Sequence, residues 1–217
     1  MSEAKATPSP PGRRSQAARR TQSERTLIRA TLSVVAEQGV SAATFATIGQ
    51  AAGYSRGLTT HKFGSKAGLI DAVIDFLHQE RDAHLEAAHV AEMHGLDALI
   101  FYADSHLRDL AALKQTQAYF MLLAQSAADL TEVRKAFAAS HARVRVWLED
   151  VIRRGQGEGV VRRELDPTSG ALVLGSLLMG LSFQWLIDPD ADLEPTRATA
   201  LQALRQMFAA PAFGDTP

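Results

Sequence analysis

The stretch from Thr44 to Gly68, TFATIGQAAGYSRGLTTHKFGSKAG, constrains this chain more than any other 25 residues in it. Thr44 can cap a helix, because its side-chain oxygen accepts a backbone N–H that the first turn leaves unpaired. Phe45, Ile48, Ala51 and Ala52 then fall on one helical face. Gly53 allows a left-handed turn without steric cost. Ser55 caps a second short helix, whose Leu58 points back to the same small core. Ser65 caps a third, into which Leu69, Ile70 and Val73 carry apolar surface. Two short helices joined by a tight turn form a helix-turn-helix, whose second helix enters the DNA major groove.

Length and composition are consistent with that reading. A chain of 217 residues with 46% hydrophobic side chains can bury a real core. It has no cysteine, which excludes disulfide frameworks, thiolate zinc sites and cysteine nucleophiles. The polar N-terminus has no signal-peptide stretch, and a reducing, cytoplasmic location is expected. The net charge of −1 hides a division. Residues 1–66 hold 10 Lys+Arg against 3 Asp+Glu, which leaves 13 against 21 for the rest. A basic N-terminal third on an acidic body suits a DNA reader with a separate control domain.

Along the chain, periodicity predicts an all-α fold of about nine helices. Residues 1–20 are expected to form a disordered basic arm, which either reaches the DNA or is a solvated tail. Residues 21–81 are expected to form the DNA-binding head, and 82–217 a helical effector-binding and dimerisation body. The first helix is expected over Ser23–Gln38, the two short ones over Thr44–Ala52 and Ser55–Lys62. A fourth starts at Lys66 and runs toward Gly95, which is expected to break it. Further helices are expected over Leu96–Leu110, Lys114–Ala127, Thr131–Arg154, Thr168–Ile187 and Glu194–Phe208.

The order Thr44, Ile48, Ala52-Gly53, Ser55, Gly57, His61, Phe63, Ser65-Lys66 resembles the DNA-binding domain of the TetR family of transcriptional repressors. The resemblance covers roughly Ser23 to Leu77. It departs at Gly49, where alanine is usual, at Thr59, where an apolar residue is usual, and at Thr60, often a phosphate-contacting tyrosine. Recognition-helix geometry makes Arg56 the candidate for a bidentate guanine contact. Thr60, His61 and Lys62 follow on the same exposed turn. Thr44 and Ser55 can hold phosphates through hydroxyls and helix-end N–H groups. The resemblance implies that Lys66 takes a phosphate and that Gly57 lets the helix come close to DNA. It also implies a homodimer, a DNA operator and a small-molecule effector.

The body offers no catalytic constellation, and no metal or cofactor is expected. Gly155-Gln156-Gly157-Glu158-Gly159 follows a helix, not a strand, so it lacks the context of a phosphate loop. His78, His84, His89 and His94 are spaced off a common face and read as surface residues. His141 sits in an apolar stripe with Phe137, Val144, Leu148 and Val151. With Tyr102, His106, Tyr119 and Phe183 it is a candidate cavity residue, or simply core. The charge-free run Thr168–Ile187 is long enough to span a membrane. Its glycines and hydroxyls, and its lack of aromatic or basic anchors, favour a helix buried at a dimer interface. Gly175, Ser176, Met179, Leu201 and Leu204 are the candidate interface residues. An architectural DNA-binding protein without an effector remains the alternative.

Overall fold

A computed structural model describes residues 16–128 and 132–211. Nine α-helices run through them: α1 (Gln16–Gln38), α2 (Phe45–Ala52), α3 (Arg56–Phe63), α4 (Lys66–Ala87), α5 (Gly95–Ala112), α6 (Lys114–Ala128), α7 (Glu132–Gly157), α8 (Pro167–Ile187) and α9 (Leu193–Phe208). The first helix therefore starts at Gln16, inside the segment expected to be an arm. Residues 1–15 lie outside the described residues. The only β pairing among those described is the isolated bridge Val161–Ala209. Beside it the Arg162 N–H donates to the Phe208 carbonyl at 2.9 Å, fastening the end of α9.

The expected caps form as read. The side chains of Thr44, Ser55 and Ser65 accept from the N–H groups of Thr47, Leu58 and Gly68. Gly53 closes α2 at φ 73°. The fourth helix, however, is not broken at Gly95. It ends at Ala87, and His89 turns the chain at φ 53°, a left-handed conformation unusual for a non-glycine residue. Gly95 instead opens α5 pressed against Gly155 of α7. A Cβ on Gly95 would lie 2.5 Å from the Gly155 Cα and 2.8 Å from the Val151 carbonyl oxygen.

Two apolar cores result. The first gathers Leu27, Ile28, Val34 and Val35 of α1, Ile48 of α2, and Leu69, Ile70, Val73, Ile74 and Phe76 of α4. Leu110, Phe120, Leu122, Leu123 and Phe137 complete it from α5, α6 and α7. The head expected over 21–81 thus does not close on itself, since α6 packs along α1. Of the apolar α2 residues, Ala51 faces outward instead. The second core lies among α5, α7, α8 and α9.

That second core corrects two interface expectations. Leu204 is fully buried within the subunit, with Phe208, because the Ala200–Leu204–Phe208 stripe of α9 packs on α5. Leu201 is half-buried against the same core. Similarly, α8 is not buried all round: Gly170, Ala171, Leu174, Leu178 and Ser182 face inward, while Leu172 and Val173 remain 57% and 45% exposed. By length and composition it would pass as a membrane span, but its inner face packs along α7.

The two departures in the helix-turn-helix explain each other. A Cβ at Gly49 would sit 2.9 Å from the Tyr54 carbonyl oxygen and 3.1 Å from Thr59 Oγ1. Thr59 is fully buried, its hydroxyl donating to the Ser55 carbonyl at 3.2 Å. Glycine there lets the turn backbone close over α2, which outweighs its poorer helix propensity of roughly 1 kcal/mol. Gly49→Ala should therefore destabilise the protein, by about 1–3 kcal/mol as for other overpacked sites. Urea unfolding of the variant beside wild type checks this, and a stabilised variant would refute it.

Candidate DNA-reading helix and internal chamber

The exposed surface of α3 holds half of the eight residues read as DNA contacts. Arg56, Gly57, Thr60 and His61 are exposed, as are Thr44, Ser55 and Lys66 around them. Arg56 heads the helix, where the Ser55 cap leaves the opening N–H groups facing out. Thr60 turns its hydroxyl back onto the Arg56 carbonyl at 3.0 Å, so it presents mainly its methyl group.

Lys62 is placed differently. Its ammonium donates to Glu24 Oε2 at 3.0 Å and to the Arg20 carbonyl at 2.6 Å, and its side chain is only 9% exposed. Instead of facing outward with its neighbours, it fastens α3 to the first turns of α1. The reason is helical: position 62 lies on the side of α3 toward α1, about 100° per residue from His61. Sequence spacing alone did not reveal this, because Glu24 lies 38 positions away.

Gly57 has no packing reason to be glycine. A Cβ there would meet only Ser55 Oγ, at 3.8 Å. Its bare backbone therefore matters to something approaching from outside. Gly57→Ala should raise stability by about 0.5–1 kcal/mol, the usual gain in an exposed helix, while weakening DNA binding. Thermal melting and DNA titration of one preparation check both signs. Stability and affinity rising together would remove the close-approach role.

A chamber of about 370 Å³ lies among α4, α5, α6, α7 and α8. Of the sequence candidates, Tyr102, His106, Tyr119 and His141 line it. Phe183 does not. It stands behind Phe120, edge-on with ring centroids 6.0 Å apart. Two residues assigned to the partner face, Gly175 and Met179, also line the chamber, whereas Ser176 is exposed. Two of the four histidines read as surface residues join them: His78 and His84 of α4. His89 and His94 are exposed, as expected.

Several hydroxyl and imidazole groups of the wall satisfy one another. His78 Nε2 lies 2.6 Å from Ser140 Oγ, and the Tyr119 hydroxyl lies 3.4 Å from Ser140 Oγ and 3.5 Å from His141 Nε2. Ser182 donates its hydroxyl proton to the Leu178 carbonyl at 2.8 Å. At the 2.9 Å contact with His106 Nε2, the imidazole must therefore be the donor, which leaves Nδ1 as an acceptor. Burial pushes His106 down to about 4. Burial, aided by Arg81 and Arg143, does the same to His78. Burial also lowers His141 and raises the phenol of Tyr119, and it pushes Tyr102 up to about 12. At neutral pH His78, His106 and His141 face the chamber as neutral imidazoles, and Tyr102 and Tyr119 as neutral phenols. Among the described residues no group of three or more His, Cys, Asp or Glu side chains could hold a metal ion.

The sign of the pH effect follows. The folded protein resists protonating His106, whereas the unfolded chain accepts that proton near pH 6.5. The contribution is full above pH 6.5 and is lost as pH falls toward 4. His106→Gln should remove a slope on the order of 2–3 kcal/mol across that window. Denaturant unfolding of both proteins at pH 7, 5.5 and 4 measures it, and parallel curves would refute it.

Comparison with known proteins agrees with this arrangement. The profile of bacterial regulatory proteins of the tetR family matches residues 27–73, and that of the BetI-type transcriptional repressor C-terminal domain matches residues 103–209. The HTH-type transcriptional regulator TtgR of Pseudomonas putida is 29% identical over 206 residues, covering 86% of this chain and 96% of that protein. Two solved structures share the fold. The SmeT–triclosan complex, SmeT being a repressor of Stenotrophomonas maltophilia, has a TM-score of 0.73 at 20% identity, covering 90% of this chain and 97% of that one. A regulator from Saccharomonospora viridis in complex with choline has a TM-score of 0.74 at 18% identity, covering 88% and 100%. With a capped helix-turn-helix at one end, a helical body around a chamber at the other, and two family profiles spanning both, the chain belongs to the TetR family of bacterial transcriptional regulators.

Proposed function

We propose that this regulator is a cytoplasmic, ligand-responsive repressor that binds a near-palindromic operator as a homodimer and releases it when the chamber fills. The observation that carries the reading is that α4 serves both ends. Its Leu69, Ile70, Val73 and Ile74 are buried in the head core, while its Leu77, His78, Arg81 and His84 line the chamber. A ligand that needs a different spacing of α4 from α5 and α7 therefore acts on the helix that carries Lys66 and supports α3. To release DNA it must favour the DNA-incompetent form, by roughly 1–3 kcal/mol for a typical coupling. The effector-free architectural reading calls for a filled body, and a chamber of about 370 Å³ speaks against it.

The partner face in this reading is the outward strip of α8. Leu172, Val173, Ser176 and Gly180 lie on it, and nothing within the subunit comes within 4 Å of a Cβ built on Gly180. An apolar strip with a bare backbone position suits close packing against the same helix of a second copy across a two-fold axis.

Duplexes selected from a random-sequence pool by the full chain give the test. The selected sites should have two-fold symmetry, and binding should weaken steeply with salt. Arg56→Ala should cost about 1–3 kcal/mol and relax one base position, and Lys66→Ala should weaken all sequences alike. Leu172→Glu should sediment as a monomer and lose the symmetric site. Asymmetric sites bound by a monomer would overturn the dimeric reading.

A further inference from the structure

The effector reading leaves its chemical class open, because proteins of this fold are solved in complex with molecules as unlike in charge as triclosan and choline. The wall of this chain decides the matter. Asp109 of α5 lines the chamber, and among the described residues its carboxylate has no hydrogen bond and no ion pair. Of the other ionisable groups at the wall, His84 pulls the carboxyl down without forming an ion pair with it, and Arg81 is engaged elsewhere. Arg81 holds Asp82 through both Nε and Nη2, at 3.0 and 2.6 Å. Glu80, at the exposed edge, adds a second carboxylate without a partner. His106 keeps a proton on Nε2 toward Ser182 and is neutral, so it supplies no positive charge.

Three aromatic rings, Tyr102, Tyr119 and Phe120, stand in the wall among aliphatic residues such as Leu77, Leu85, Leu178 and Met179. Tyr119 meets Phe120 edge-on with centroids 5.2 Å apart, and Tyr102 packs on Trp147 at the same separation. Aromatic faces attract cations through their quadrupoles and give little to anions. We infer that the chamber takes an organic cation, an ammonium on a hydrocarbon or aryl body, with its charge against Asp109 and its apolar part among Tyr102, Tyr119 and Phe120. The inference rests on the effector reading above.

Two further facts agree. Burial holds the Asp109 carboxyl above its ordinary range, with His84 pulling it back, as expected of a charge that lacks its counterion. Asparagine of the same shape would fill the site without that cost, so the carboxylate serves no contact within the chain. The volume, toward the lower end of the ~300–1,000 Å³ typical of small-molecule pockets, excludes neither an alkyl chain nor a single aromatic ring.

The test uses the full-length protein and three probes with one skeleton: 4-phenylbutylammonium, 4-phenylbutan-1-ol and 4-phenylbutanoate. Calorimetry measures affinity, and tryptophan fluorescence reports occupancy because Trp147 packs on the lining Tyr102. The ammonium should bind at least tenfold more tightly than the alcohol, and the acid most weakly. Asp109→Asn should cut ammonium affinity at least tenfold, leave alcohol affinity within twofold, and raise the melting temperature of the free protein. Glu80→Gln, at the rim, should change ammonium affinity less than threefold. Alcohol or acid binding as tightly as the ammonium, or an Asp109→Asn variant that binds it unchanged, overturns the inference while leaving an effector chamber in place. No binding of any probe, with no release of DNA, overturns both.

Discussion

The packing of α4 is the constraint on which the rest of the molecule depends. A 22-residue helix of modest intrinsic stability is held by one continuous apolar stripe. Leu69, Ile70, Val73 and Ile74 bind the stripe to α1 and the reading head, and the turns after Phe76 bring Leu77, His78, Arg81 and Leu85 to the chamber. Arg29 of α1 lies over the Phe76 ring at 5.5 Å, adding a charge–quadrupole contact where the two regions join. Since α6 also packs along α1, the head is supported from two sides by elements that enclose the chamber. The head has no core of its own that would let it ignore the body, since Leu110, Phe120 and Phe137 complete the one it uses.

Local chemistry was the most legible part of the sequence. Caps and turn glycines act within four residues, and Thr44, Gly53, Ser55 and Ser65 do what their types predict. Helix lengths were readable because apolar periodicity persists to the ends; α6 and α8 came within one residue. What stayed hidden depends on which neighbour a face meets. The stripe of α9 read equally well as an interface or as a core, and only α5 packing against it makes Leu204 internal. Lys62 looked like one more basic residue of a recognition helix until the fold brought Glu24 to it.

The chamber was half legible for the same reason. Four of its aromatic and imidazole residues were readable from helix faces, but Asp109 belongs to no motif. The signal was present. Tyr102, His106 and Asp109 are spaced i, i+4, i+7, so they share one face of α5, and an acid on that face must be buried with its neighbours. The spacing of His78 from the other histidines says nothing of its place; it faces the chamber because it follows Ile74 and Leu77 on the inner side of α4.

The contact between Gly95 and Gly155 has a mechanical meaning. With a Cβ at either position forced to within 2.5 Å of a neighbouring atom, the start of α5 and the end of α7 are locked together at backbone distance. That close approach would make the crossing point a fulcrum for any tilt of α5. Asp109 and Leu113 lie some fourteen to eighteen residues from that fulcrum, a lever arm of about 21–27 Å at 1.5 Å per residue. A tilt of a few degrees, too small to disturb the packing near the fulcrum, becomes more than an ångström at the far end. There the next residue, Lys114, meets Glu37 of α1 at 2.7 Å, so a tilt of α5 would arrive where the body touches the head.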